Sequence, residues 1–369
     1  MSYTKDQQQS FMRKAFAFAY RVKGTTSPNP AVGAVIVRNG RIIGSGATQK
    51  YGSDHAEVMA LKSVRDRKKL RGADMFVTLE PCAKMYPGKK TPPCCDAIIA
   101  AGLRQVYIGS IDRNPKVNGA GVKKLRANGV KAFAGVLVDE TDYFYRDFFN
   151  AIITKRPYVI VKYAMSMDGK IATRTGDSKW ISSLPARQFA HELRGYADAV
   201  LVGASTYRSD NPKLNVRYGA KKGHMPVRIV VCSDALLKLN GEMFNDGGPA
   251  VIMTTARAAK IIQKRTNTKV VAVKERHGAL DIDDMKLKLY GLGVLSILVE
   301  GGGGTIARFF EADAVDEVFA IVAPVLIGGK DAVSPYEGKG ASVVKDAIRF
   351  SSFDIERIGD NALLHARKK

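Results

Sequence analysis

The stretches DHAEV at Asp54–Val58 and EPCAKMYPGKKTPPCC at Glu80–Cys95 decide how this chain is read. They hold a histidine, a glutamate two residues further on, and three of the four cysteines. Around them strands and helices alternate. Lys5–Lys23 predicts a helix, with Phe11, Ala15, Phe18, Ala19 and Val22 at helical spacing. TTSPNP breaks it. AVGAVIV and RIIGSG predict two strands joined at Asn39-Gly40, a strong hairpin signal. A helix is expected from about His55, then a short buried strand at DMFVTLE. CCDAIIAAG predicts a helix ending at Gly102, RQVYIGS a strand, and GVKKLRANG a helix ending at Gly129. This alternation is that of an α/β domain.

A second α/β domain is expected beyond the boundary near NAIITKRP. Pro157 opens the strand YVIVKYAMS, and DAVLVG, VRIVVC, AVIMTT, KVVAV, LSILVE and EVFAIVAPVLIG are further strands. The expected domains are residues 1–150 and 151–369. With 369 residues the chain exceeds what one core usually serves. Hydrophobic and charged contents of 46% and 25% are those of a folded protein. No apolar run reaches the roughly 20 residues that span a membrane. MSYTKDQQQS lacks the pattern of a signal peptide. Clustered cysteines make a poor disulfide framework, so a reducing, cytoplasmic setting is expected. The net charge of +23 suggests nucleic-acid binding or attraction for small anions. The basic residues are scattered and the densest run, RDRKKLR, reads as an exposed helix end. No aromatic-interleaved basic stripe occurs, which favours small phosphate esters over nucleic acid.

A catalytic zinc takes three protein ligands and keeps one place open. One imidazole and two thiolates serve, and zinc brings the pKa of its water down toward about 7. A glutamate beside it, itself no ligand, can then move protons. This is the H-x-E … P-C-x-x-C chemistry of the zinc deaminases. Here Cys82 and Cys94 have eleven residues between them rather than two. A longer loop costs little free energy. Cys94 begins a predicted helix, where the dipole favours a thiolate. Cys95 is its rival, about a hundred degrees around that helix. The alternative is an ordinary loop with buried thiols and a histidine at a helix start.

SPNPAVGAVIV, HAE, LEPC, TPPC and NPKVNGAG together resemble the deaminase half of the bifunctional riboflavin-biosynthesis deaminase/reductases. The resemblance implies a cytidine-deaminase-like three-layer α/β/α fold. It implies that His55, Cys82 and Cys94 bind zinc, that Glu57 carries the proton, and that Asn29 lines the wall receiving the pyrimidine. The loop AKMYPGKK is longer than is usual in that family.

VEGGGGTIARFF lies between a predicted strand and a predicted helix, where glycines let backbone amides approach a phosphate. With VKYAMSMDGKIA, GDSKWIS, LRGYADAVLVGAST and SDNPKLNVR it resembles the reductase half of the same family. That half is similar to dihydrofolate reductase, an α/β fold, and uses NADPH. The resemblance puts Ser178, Arg194, Leu214, Arg217 and Glu300 against a ribosyl-phosphate substrate, with Lys162 close to the reacting sugar. It puts Ala164, Trp180, Thr206, Asp210 and Ser233 beside the nicotinamide cofactor, and Gly302 and Gly303 at its phosphates. An arginine pair can hold a phosphate through planar, charge-assisted hydrogen bonds. A carboxylate such as Glu300 can grip ribose hydroxyls or a ring amine. Each residue also has a plainer reading. Arg194 could cap its helix, Trp180 could be core, and Asp210 could be a turn residue.

The expectation is therefore a bifunctional enzyme with zinc and NADPH as cofactors. Its substrate would be a pyrimidine ribosyl phosphate, and it would partner neither nucleic acid nor membrane. Family members often associate through the reductase half, so a homo-oligomer, a dimer or tetramer, is expected. A rival from another class is a zinc deaminase acting on a base within RNA, with the second domain as a binding module. Another is a working reductase beside a catalytically dead zinc domain.

Overall fold

The fold is that of a computed structural model, which describes residues 3–85, 90–115, 117–219, 224–262 and 265–368. The chain divides into two compact units, Met1–Lys155 and Arg156–Lys369.

The first unit contains α1 (Lys5–Val22), β1 (Gly33–Arg38), β2 (Arg41–Ala47), α2 (Ala56–Ser63), β3 (Asp74–Leu79), α3 (Cys94–Ala100), β4 (Gln105–Ser110), α4 (Ala120–Ala127), β5 (Lys131–Ala134), α5 (Val138–Phe144) and α6 (Arg146–Thr154). The boundary expected after residue 150 falls inside α6, and the division comes where that helix has ended. The strands form one sheet in the order β2-β1-β3-β4-β5. β1 pairs antiparallel with β2 and β3, whereas β3, β4 and β5 are parallel. Helices cover both faces, and two glycines show how closely. A Cβ on Gly33 would lie 2.0 Å from the Ala15 carbonyl oxygen of α1. A Cβ on Gly46 would lie 2.4 Å from the Ala60 nitrogen of α2. Gly33 pairs with Ala47 and Gly46 with Ala34, so the two glycines face opposite sides of the sheet. α1 and α2 thus sandwich it in the three-layer manner.

The second unit contains β6 (Tyr158–Ser166), α7 (Leu184–Tyr196), β7 (Ala199–Gly203), α8 (Ala204–Asp210), β8 (Val227–Val231), β9 (Ala250–Thr254), α9 (Ala256–Ile261), β10 (Thr268–Ala272), β11 (Glu275–Arg276), β12 (Ala279–Leu280), α10 (Ile282–Gly291), β13 (Ser296–Val299), α11 (Gly303–Glu311), β14 (Glu317–Ala323), β15 (Ser352–Ile358) and β16 (Asn361–Arg367). Nine strands form a sheet in the order β10-β9-β8-β7-β13-β6-β14-β16-β15, and β11 and β12 form a separate hairpin. The sheet is parallel from β10 to β14 and closes with the antiparallel pair β16 and β15. Alternate residues of β7 serve two cores: Val200 and Val202 on one face, Ala199 and Leu201 on the other. Burial on both faces is why these strands read as continuous apolar runs. Open parallel sheets bind ligands outside the carboxyl ends of their strands. The carboxyl ends of β6, β13 and β7, neighbours at mid-sheet, carry Lys162 and Ala164, then Glu300, then Thr206.

Candidate active sites

In the first unit, three elements converge at the carboxyl end of β3. His55 is the extended N-cap of α2, Cys82 follows β3, and Cys94 is the first residue of α3. One ligand atom from each lies within 4.8 Å of the others. His55 Nδ1 is 3.7 Å from Cys82 Sγ and 3.3 Å from Cys94 Sγ. Zinc–sulfur and zinc–nitrogen bonds of about 2.3 and about 2.05 Å at tetrahedral angles require about 3.6 Å between sulfur and nitrogen. The two distances bracket that value, so the donor set fits zinc. The other ring nitrogen, Nε2, is 3.3 Å from Thr91 Oγ1. A hydroxyl there fixes the imidazole's orientation, as outer partners of metal-binding histidines do.

Cys95 is settled by helix geometry. Its thiol turns away, donating to the carbonyl oxygens of Pro81 and Gly121 at 3.4 and 3.7 Å. Burial, helped by the nearby Glu57, raises its pKa and keeps it a thiol. Glu57 is 3% exposed, in the first turn of α2. Burial raises its pKa; His55 opposes and Cys82 adds to that shift. A carboxyl raised in this way beside a metal-ligand cluster is suited to carrying a proton. Asn29 lies half-buried in the turn before β1. Because β1 runs antiparallel to β3, with the Gly33 N–H on Thr78 Oγ1 at 3.1 Å, Asn29 sits at the same end of the sheet as the cluster. The segment between Cys82 and Cys94 includes residues 86–89, which lie outside the described residues.

Glu80 has a role that its motif alone does not disclose. It is 4% exposed. Its Oε1 accepts the N–H groups of Gly121 and Val122 at 2.8 and 3.2 Å. Its Oε2 accepts those of Gly119 and Asp112 at 2.8 and 3.2 Å. A Cβ on Gly121 would lie 2.1 Å from the Pro81 carbonyl oxygen. Gly121 is therefore required for close approach beside this carboxylate, whereas Gly119 is required by its left-handed φ of 79°.

In the second unit a cavity of about 840 Å³ opens at the carboxyl ends of β6, β7 and β13. Lys162, Ala164, Ser178, Trp180, Arg194, Thr206, Asp210, Arg217, Glu300 and Gly302 line it. Three residues expected at the site do not. Leu214 has left-handed φ of 54° and sends its side chain, 2% exposed, into the core. Ser233 lies beyond β8, exposed, with its carbonyl accepting from Thr255 Oγ1 at 3.4 Å. Gly303 has no room for a side chain, the Ser334 carbonyl oxygen lying 2.2 Å from where a Cβ would be.

The electrostatic centre of the cavity is Glu300. Arg194 grips it with a fork, Nε to Oε1 and Nη2 to Oε2, each 2.7 Å, and Lys162 Nζ is 4.0 Å away. Burial alone would raise its pKa, but Arg194 and then Lys162 outweigh burial and hold it at about 2. Lys162 is lowered, first by burial and then by Arg194 against the pull of Glu300. Arg194 is therefore committed to Glu300, and Arg217 is left as the exposed guanidinium of the expected pair.

His191, which sequence reading passed over, also lines the cavity and is 4% exposed. Its Nδ1 accepts the Arg217 N–H at 3.0 Å. Burial first, then Arg194 and Arg217, hold its pKa at about 4, so it is a neutral ring at physiological pH. Trp180 is no core residue: it is 73% exposed and faces the Arg187 guanidinium 4.1 Å from its ring centre. Thr206 Oγ1 accepts the Gly302 N–H at 3.0 Å and ties α8 to the glycine loop. The N–H groups of Gly303 and Gly304 open α11 without intrahelical acceptors. Apart from its chain neighbours and the backbone of its own helix, no atom of the described residues lies within 4 Å of where a Cβ on Gly304 would sit. Room of this size and a glycine-opened helix N-terminus fit a dinucleotide phosphate.

Residues 5–110 match the cytidine and deoxycytidylate deaminase zinc-binding region, and residues 157–364 match the RibD C-terminal domain. The riboflavin biosynthesis protein RibD of Actinobacillus pleuropneumoniae is 39% identical over 96% of this chain and 93% of its own length. That of Aquifex aeolicus is 34% identical over 98% of each. The crystal structure of a diaminohydroxyphosphoribosylaminopyrimidine deaminase/5-amino-6-(5-phosphoribosylamino)uracil reductase from Thermotoga maritima superposes with a TM-score of 0.87. It is 34% identical and covers all of both chains. Zinc serves the deaminase unit and NADPH the reductase unit. No helix among the described residues is long and apolar enough to cross a membrane. The chain belongs to the RibD family of riboflavin-biosynthesis proteins, in which a deaminase domain precedes a reductase domain.

Proposed function

We propose that the first unit deaminates 2,5-diamino-6-ribosylamino-4(3H)-pyrimidinone 5′-phosphate by hydrolysis, and that the second reduces the product, 5-amino-6-(5-phosphoribosylamino)uracil. Reduction of the ribosyl group to ribityl gives 5-amino-6-ribitylaminouracil 5′-phosphate. The observation that carries this reading is the His55–Cys82–Cys94 cluster with the buried Glu57 beside it. Those three side chains would hold the metal, and zinc bound there would make hydroxide available near neutral pH. Glu57 takes the proton from the attacking water and hands it to the departing ammonia. Asn29 lines the pyrimidine side of the pocket.

In the second unit NADPH supplies the hydride. Ala164, Trp180, Thr206, Asp210 and Ser233 border the cofactor, with Gly302 and Gly303 at its phosphates. Ser233 and Gly303 would reach it only from outside the lining described above. Glu300, ionised and acceptor-only, orients hydroxyl or amine donors of the substrate. Lys162, whose ammonium is disfavoured by burial, is suited to giving up a proton at the sugar. Arg217 reads the phosphate, with Ser178 and Arg194 completing the wall. Leu214 supports that wall from the core. Cys82 and Cys94 serve the metal cluster rather than a disulfide framework, which supports a reducing cytoplasm. The edge strand β15, with Phe353 and Ile355 60% and 65% exposed, supports a homo-oligomer.

The test is zinc content of the purified protein beside that of Cys94→Ser. About one zinc per chain, lost in the variant, is expected. A chain that takes up no zinc even when refolded with it would leave a reductase alone.

A further inference from the structure

We infer that Asn215 and Asp246 are positioning residues for Arg217, through a hydrogen-bonded relay from the core of the second unit to its cavity. The inference rests on the reading of Arg217 as the group that recognises the substrate phosphate. Arg217 is exposed and belongs to no helix or strand. A long side chain in that situation loses considerable rotamer freedom on binding an anion, unless something already holds it.

The segment Leu214–Arg217 is built to hold it. Leu214 and Val216, each 2% exposed, point into the core. Asn215, half-buried, and Arg217, exposed, alternate with them along the segment. Asn215 is engaged at three atoms. Its carbonyl oxygen accepts from Arg194 Nη1 at 3.3 Å. Its Oδ1 accepts from Arg217 Nη1 at 2.8 Å. Its Nδ2 reaches Asp246 Oδ2 at 3.5 Å, a long bond. The Asn215 amide is thereby oriented, because Nδ2 toward a carboxylate leaves Oδ1 for the guanidinium.

Asp246 has a firm anchor of its own. Its Oδ1 accepts from Arg228 Nη1 at 2.5 Å and from the Gly248 N–H at 3.1 Å. Arg228 lies on β8, its side chain is wholly buried, and its Nε donates to the Pro249 carbonyl at 3.5 Å. A Cβ on Gly248 would lie 2.4 Å from Arg228 Nη2, so the loop closes tightly over the guanidinium. A buried cation requires a fixed counter-charge, and the carboxylate that supplies it has a second oxygen free to orient Asn215. From the cavity side His191 Nδ1 fixes the Arg217 backbone N–H at 3.0 Å. Arg217 is thus held at its main chain by the wall and at its side chain by the relay.

The test uses the full chain, NADPH, 5-amino-6-(5-phosphoribosylamino)uracil and its dephosphorylated riboside. KM for each is measured in wild type, Asn215→Ala, Arg217→Ala and the double variant. Asn215→Ala is expected to lower the preference for the phosphorylated form about fivefold to tenfold through KM, the size of one hydrogen bond. In the Arg217→Ala background it should cost nothing further. Asp246→Glu, which keeps the counter-charge that Arg228 requires but displaces the oxygen that holds Asn215, should act in the same direction and carries the test should Asn215→Ala fold poorly. If Arg217→Ala lowers the preference but neither Asn215→Ala nor Asp246→Glu does, the relay is refuted. Losses that multiply in the double variant refute it as well. If Arg217→Ala itself leaves the preference unchanged, the reading of Arg217 as the phosphate ligand fails instead.

Discussion

Replacing Glu80 by glutamine changes one oxygen into an amide nitrogen and leaves the shape alone, yet the consequence should be large. The carboxylate accepts four backbone N–H groups, two on each oxygen. A glutamine oxygen can keep two of them. The other two would meet an NH₂ group, donor against donor, in a site that is 4% exposed. Each buried donor left without an acceptor costs about 1–3 kcal/mol, so the pair costs about 4 kcal/mol. That is a third or more of the stability of an ordinary domain of about 10 kcal/mol. At a urea dependence of about 2 kcal/mol per molar, the midpoint of the first unit should fall by about 2 M. Far-UV circular dichroism follows both units, while Trp180, the only tryptophan, lies in the second and should unfold at an unchanged midpoint. Zinc content should drop as well, because Cys82 is two residues from Glu80. A variant with an unchanged first midpoint and full zinc would refute the view that this carboxylate organises the loop.

Two further outcomes are expected. Glu57→Gln should abolish ammonia release while keeping zinc bound, since it removes a proton carrier and no ligand; retained deamination would exclude that role. His191 should make the reductase unit lose stability in mild acid. Its folded pKa of about 4 lies below the unfolded value of about 6.5. The neutral ring therefore contributes in full above pH of about 6.5, and the contribution is lost as pH falls from there to about 4. Thermal midpoints of wild type and His191→Gln should diverge across that window, and parallel profiles would exclude the effect.

What was legible in the sequence was local. Asn39-Gly40 sits at φ of 50° and 73°, as a two-residue hairpin turn requires. The metal cluster was legible because its residue types and prolines lie close together in the chain. The choice between Cys94 and Cys95 needed only the rotation of a helix. What escaped was set by contacts over long separations. Arg194 and Glu300 are 106 residues apart, and nothing local says that one arginine of a presumed phosphate pair is taken by a carboxylate. Leu214 follows a lysine in an extended-looking motif, but its left-handed backbone turns it inward. His191 looks like any polar helix residue until the Arg217 N–H is found on its ring. β15 and β16 escaped because sequence reading placed no strand after Gly328, and β15 is a solvent-facing edge whose pairing partner, not its own pattern, defines it.

The pairing of Arg194 with Glu300 also bears on how fast substrate arrives. Glu300 cancels one guanidinium and leaves the charge of Arg217 standing at an exposed rim. The chain around it carries a formal excess of +23. A phosphate monoester brings about two negative charges, so it meets an attractive field well before contact. Salt limits the reach of that field to about 8 Å at physiological ionic strength. Encounter with the reductase pocket is therefore a salt-sensitive step, whereas the forked carboxylate inside, shielded from solvent, keeps its orientation at any ionic strength.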